Sequence, residues 1–115
     1  MSAEFKLKLN DTARDARVIV REDGIPVAHS LVSSATLYFQ LLDADGVGTG
    51  EVYSRPMLRI PEVQGKWYYS FSDSDFGTLP VGEYQAWVRF IYTDGRKSTA
   101  PTLGASRLQI EALNF

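Results

Sequence analysis

The sequence predicts an all-β domain, an antiparallel β-sandwich of seven to nine short strands, and three observations carry that prediction. Apolar residues recur at period two, most clearly in Tyr84, Ala86, Val88, Phe90 and Tyr92. Turn residues punctuate the chain at short intervals: Asn10-Asp11-Thr12, Asp23-Gly24, Asp45-Gly46, Gln64-Gly65, Pro80 with Gly82, and Asp94-Gly95. No stretch keeps a helical apolar period over three turns. The 115 residues suit a single domain, residues 1–115, able to bury about two-thirds of its unfolded surface.

Phe5, Leu7 and Leu9 alternate with Lys6 and Lys8, so the chain opens with a half-buried strand closed by Asn10-Asp11-Thr12. In the second run, 16–22, burying Arg17 and Arg21 unpaired would cost far more than exposing Ile19, which directs Val18 and Val20 to the core. From Ala35 to Leu42, the residues Leu37, Phe39 and Leu41 take one side and Thr36, Tyr38 and Gln40 the other. The loop that follows holds Gly46, Gly48 and Gly50, which supply positive φ where a bulky residue could not. Weaker strands are predicted over Glu51–Ser54 and Met57–Ile60, with Pro56 and Pro61 marking interruptions or sheet edges.

Gln64-Gly65 turns the chain into Lys66–Phe71, where Trp67, Tyr69 and Phe71 share a face and form the predicted centre of the core. The strand over 83–92 comes next, then a link through Ser98 to Gly104, and a last strand from Arg107 to Glu111 burying Leu108 and Ile110. Gly82-Glu83-Tyr84-Gln85-Ala86, following Ser72-Asp73-Ser74-Asp75, has the spacing of a tyrosine corner, in which a Tyr near the start of a late strand bonds back to upstream backbone. The sandwich is therefore read as immunoglobulin-like. Ala86 stands where an immunoglobulin domain would carry its second cysteine, so no disulfide accompanies the corner.

Composition narrows the function classes. With no Cys there are no thiolate nucleophiles or zinc-thiolate sites. A formal net charge of -2, with both signs interspersed, lacks the driving force for nucleic-acid binding. Residues 1–9 have no continuous apolar core of a signal peptide, and no run approaches the roughly 18 apolar residues of a membrane span. Synthesis in the cytoplasm with no membrane partner is the expectation.

The residues that could carry chemistry are few, and each is better explained structurally. His29, the only histidine, excludes a multi-histidine metal site and is read as an exposed loop side chain, since no nucleophile elbow accompanies it. Asp43 and Asp45, with Glu51 beyond, place oxygens at alternate positions but lack the third alternate ligand and the closing glutamate of an EF-hand. Asp73 and Asp75 are read as turn caps. Gly46, Gly48 and Gly50 lack the lysine-serine ending and helix of a phosphate-binding loop. No catalytic residue, cofactor or metal is assigned.

The outward faces carry the functional signal. Parity turns Trp87 and Ile91 away from the core face of their strand, and turns Tyr38 and Tyr68 outward from theirs. A soluble domain rarely leaves such residues in water together, so Tyr38, Trp87 and Ile91 are the candidate protein-interface residues. Outward aromatics could also serve a carbohydrate-binding module.

The order of these signals resembles a known family. An opening strand ends in Asn10-Asp11-Thr12, a short strand closes with Asp23-Gly24-Ile25-Pro26-Val27, and Ala35-Thr36-Leu37-Tyr38-Phe39 follows. Gly65-Lys66-Trp67-Tyr68-Tyr69-Ser70-Phe71 with Asp75, Gly82-Glu83-Tyr84-Gln85-Ala86, Tyr92-Thr93-Asp94-Gly95-Arg96 and Pro101 complete the order. The chain is similar, over nearly its whole length, to the N-terminal immunoglobulin-like domain of bacteriophage baseplate upper proteins and related short phage tail proteins. The resemblance implies a non-enzymatic structural protein of the virion, present in many copies and binding other tail or baseplate subunits. The sequence stops after the final strand, so the resemblance covers the docking module without the receptor-binding part. A capsid decoration (cement) protein is the alternative within that setting.

Overall fold

A computed structural model describes residues 6–9, 14–22, 25–100 and 106–110. The strands are β1 (Lys6–Leu9), β2 (Asp15–Ile19), β3 (Arg21–Glu22), β4 (Ile25–Pro26), β5 (Val32–Leu42), β6 (Gly48–Pro56), β7 (Leu58–Arg59), β8 (Lys66–Ser70), β9 (Gly82–Tyr92), β10 (Lys97–Ala100) and β11 (Ser106–Ile110). A 3₁₀ turn spans His29–Leu31 and a short helix, α1, spans Asp73–Thr78. The turns at Asn10-Asp11-Thr12 and Asp23-Gly24, and Pro101 to Gly104, lie outside the described residues, as does the burial of Phe5, Leu7, Leu9 and Leu108.

The prediction of an all-β sandwich holds. One sheet runs β1-β11-β9-β5-β6, with β10 also pairing β9; the other runs β2-β8-β7. A separate two-stranded pair, β3-β4, belongs to neither sheet. Every pairing is antiparallel except that of β1 with β11, which is parallel. A parallel pair needs a long crossover, and here the intervening domain itself is that connection.

The sheets meet through aromatic side chains. Phe39 of β5 lies at the centre, its ring centroid 5.5 Å from Tyr53, 5.7 Å from Phe71 and 5.6 Å from Tyr84. Trp67 of β8 meets Phe90 of β9 across the gap at 6.4 Å. On β9 the predicted face, Tyr84, Ala86, Val88, Phe90 and Tyr92, is buried in full. Val18, Val20, Leu37 and Ile110 are buried as predicted, while Leu41 is only partly so. The row Trp67, Tyr69, Phe71 is buried at Trp67 and Phe71 but half-buried at Tyr69, whose hydroxyl reaches the rim.

The details of the prediction are corrected in several places: the described residues form eleven strands, where seven to nine were predicted, because short elements such as the β3-β4 pair and β7 add to the long strands. The strands are not uniformly short: β5 and β9 have 11 residues each and β6 has 9. β5 begins at Val32 instead of Ala35 because a register shift between Val32 and Ser34 lets polar residues join the ladder, and Ser33 Oγ donates to Ile91 O at 2.9 Å. The segment from Ser98, read as a link, begins inside β10, where Lys97–Ala100 pairs with Ile91–Val88. The Ser72–Asp75 turn opens α1, too short to show an apolar period.

Pro56 ends β6, and the chain then changes sheet at Met57. Met57 is buried and its N–H donates to Ala35 O at 2.9 Å before β7 joins β8. Tyr84 makes the tyrosine corner: its hydroxyl donates to Pro80 O, tying the start of β9 to the loop before it.

Candidate interaction face

β9 and β5 lie side by side with Tyr38 directly opposite Trp87, so their outward side chains rise from the sheet as neighbours. The two rings stack, with centroids 5.9 Å apart and planes within 10°. Two residues along, on the same face, Thr36 faces Arg89, and the Arg89 guanidinium stands 5.7 Å from the Tyr38 ring centroid. In the other direction Gln40 faces Gln85, whose Nε2 donates to Gln40 Oε1 at 2.9 Å. Gln40 Nε2 in turn donates to Gly50 O at 3.2 Å, joining the row to the start of β6.

The predicted interface residues are thus partly gathered. Tyr38 and Trp87 form one unit. Ile91 is on the same face of β9 but four residues beyond Trp87, with Arg89 between. The expectation that Trp87 and Ile91 stand open to water is corrected in degree: Tyr38, Trp87 and Ile91 are all half-buried, Tyr38 and Trp87 because each ring covers the other. Sequence reading missed Val52 of β6, which is 44% exposed and pairs with Gln40 on the same outward face. Arg89 remains exposed, and its position over Tyr38 follows from the diagonal cross-strand geometry.

The opposite outer face is smaller. There Arg17, Tyr68 and Leu58 form one row across β2, β8 and β7, with Leu58 58% exposed.

The residues considered for chemistry have structural roles. His29 is not an exposed loop side chain; it is buried, edge-on to Trp67 at 5.6 Å. Its Nε2 lies 3.0 Å from Lys66 O, and since a carbonyl only accepts, Nε2 carries the proton; its backbone N–H donates to Gln64 Oε1 at 3.0 Å. Asp43 Oδ1 accepts from the N–H groups of Asp45 and Val47 at 2.9 and 3.0 Å, closing the β5–β6 hairpin on itself. Among the described residues no group of three His, Cys, Asp or Glu side chains converges as metal ligands would.

Asp75, read as a turn cap, is one and more. Ser72 and Asp75 form a reciprocal capping box at the start of α1. The buried carboxylate also accepts from Tyr69 Oη at 2.5 Å and Arg55 Nε at 3.0 Å. Burial alone would raise its pKa, but the hydrogen bonds from Tyr69 and the Ser72 N–H, with Arg55, hold it below the usual carboxylate value. The Tyr69 phenol is pushed up to about 12, by burial first and then by its bond to Asp75. This cluster fastens α1 to β6 and β8.

No family model matches the chain, and no curated protein matches it. Among the described residues, no helix is long and apolar enough to cross a membrane.

Proposed function

We propose that the chain is a non-enzymatic structural module of a bacteriophage virion, an attachment domain of the tail or baseplate that binds neighbouring subunits through the outward face of β5 and β9. The observation that carries the binding reading is the Tyr38–Trp87 stack with Arg89 beside it, on the outward face of β5 and β9. Aromatic and arginine side chains at the centre of a flat patch supply most of the energy in protein interfaces. The virion setting rests on the resemblance to baseplate upper proteins, and the tyrosine corner supports the immunoglobulin-like reading on which that resemblance depends. A carbohydrate-binding role is less well supported, because Tyr38 and Trp87 spend a ring face on each other instead of presenting both to a sugar.

Trp87→Ala tests the reading. The variant keeps the parent's circular dichroism and unfolding behaviour, because Trp87 lies outside the core, but incorporates poorly into particles, whereas Arg89→Ala incorporates better than Trp87→Ala. Incorporation of Trp87→Ala at the parent's level would show that this face is not the docking surface. Locating the protein in a particle reconstruction separates tail from capsid decoration.

A further inference from the structure

We propose that the outward face of β5 and β9 docks an acidic surface of a partner protein, the surrounding cations steering its approach and the Tyr38–Trp87 stack holding the centre. The proposal rests on the binding reading above and adds to it the charge of what is bound.

Residues directly opposite in a ladder share a face, so register carries this face beyond β5 and β9. Lys97 pairs with Ile91 and Thr99 with Arg89, which brings β10 into it. Gln85 stands opposite position Arg107 of β11, itself opposite position Lys6 of β1, and Glu83 leads likewise through Gln109 to Lys8. The register-paired positions of the face therefore hold five cationic residues, Lys6, Lys8, Arg89, Lys97 and Arg107, and one acid, Glu83. Arg89 and Lys97 are exposed. The chain has 12 Lys and Arg against 14 Asp and Glu, so with five of the former and one of the latter here, the face is +4 and the remainder -6. Interspersed along the sequence, the two signs are sorted in space, and a net charge of -2 conceals the separation.

A positive face on an otherwise acidic chain fits an acidic partner, because opposite potentials raise the rate of encounter and like charges reject other surfaces. The extent of the face favours a protein over a nucleic acid. Five strands span about 20 Å and residues 83–91 about 27 Å, close to one partner's share of a standard protein interface. A long polyanion would run past this area onto the acidic remainder. Single-stranded nucleic acid also needs free aromatic faces for its bases, whereas Tyr38 is engaged by both Trp87 and Arg89. An aromatic centre with charges around it is the anatomy of a protein contact.

Titration with the peptide decaglutamate, followed by the backbone amide signals in proton–nitrogen correlation spectra, tests the charge directly. The signals of Arg89 and Lys97 shift, and affinity falls about fivefold or more between about 25 and about 250 mM NaCl. Lys97→Glu weakens binding about threefold or more, and Arg89→Glu with Lys97→Glu, which brings the face to zero, about tenfold or more. Arg17→Glu, a single reversal on the outer face of the other sheet, leaves binding within about twofold of the parent. A peptide that shifts no signal on this face, or that binds Lys97→Glu as it binds the parent, overturns the proposal. So does tighter binding of a single-stranded oligothymidylate of matched length, which would assign the face to nucleic acid. Particle incorporation separates the proposal from the reading beneath it, and both Trp87→Ala and the double reversal are expected to incorporate poorly. If Trp87→Ala is excluded while the double reversal incorporates as the parent does, the docking face stands and its partner is not acidic. If both incorporate as the parent does, the docking reading falls and this proposal with it.

Discussion

Tyr84 is held at both ends of its side chain, with the ring against Phe39 in the core and the hydroxyl donating to Pro80 O. Tyr84→Phe keeps the packing and leaves the Pro80 carbonyl without that donor, so it lowers stability by about 1 kcal/mol or more. Denaturant unfolding of the two proteins measures this directly, and an unchanged midpoint would remove the corner from the account. This residue was legible in the sequence because its bond spans only four positions, and a local spacing predicts a local bond. Asp75 was only half legible. Its capping box with Ser72 is equally local, but the Arg55 that completes its surroundings is 20 residues away on another strand. His29 illustrates the same limit: nothing near it in sequence foretells that Trp67 and the Lys66 carbonyl enclose it.

Among the elements, the long strands were readable wherever one face is apolar, since period two then fixes both the strand and its orientation. The inward row of β9 was recovered whole for that reason. β10 was not, because Lys97-Ser98-Thr99-Ala100 has no apolar period and becomes a strand only by pairing with β9. The turn before β8 shows a backbone demand of another kind. Gly65 adopts φ 80°, and a Cβ there would stand 2.8 Å from Val20 O, whose neighbouring N–H donates to Gly65 O at 2.8 Å. Gly65→Ala therefore combines an unfavourable dihedral with a backbone collision and costs about 1–3 kcal/mol. Gly95→Ala, at φ 91° with open space around it, supplies the control that isolates the dihedral alone. Equal midpoints for the two variants would show that the Val20 contact contributes nothing.

At the scale of the whole molecule, the titrating groups define a pH window. Asp75 has its pKa depressed in the folded state, so its stabilisation is present above the unfolded value near 4 and is lost as pH falls through the folded one. Tyr69 and Tyr84 are both pushed up to about 12, Tyr84 by burial and then by Tyr53. Their folded values exceed the unfolded value of about 10, so that stability is complete below about pH 10 and declines as pH rises towards 12. The denaturation midpoint is accordingly expected to plateau between about pH 5 and 9, with an alkaline limb that flattens in Tyr69→Phe. A limb unaltered by that change would assign the loss to other groups. The parallel pairing of β1 with β11 has a consequence under load. Lys6 to Leu9 lie beside Arg107 to Ile110 in register and run in the same direction. A pull on the chain ahead of Lys6 and behind Ile110 drags the two strands past each other lengthwise, so the rungs between them must give together instead of peeling apart singly. Loaded from its two ends, the domain would behave as a shear clamp, suited to a part that must transmit tension without unravelling.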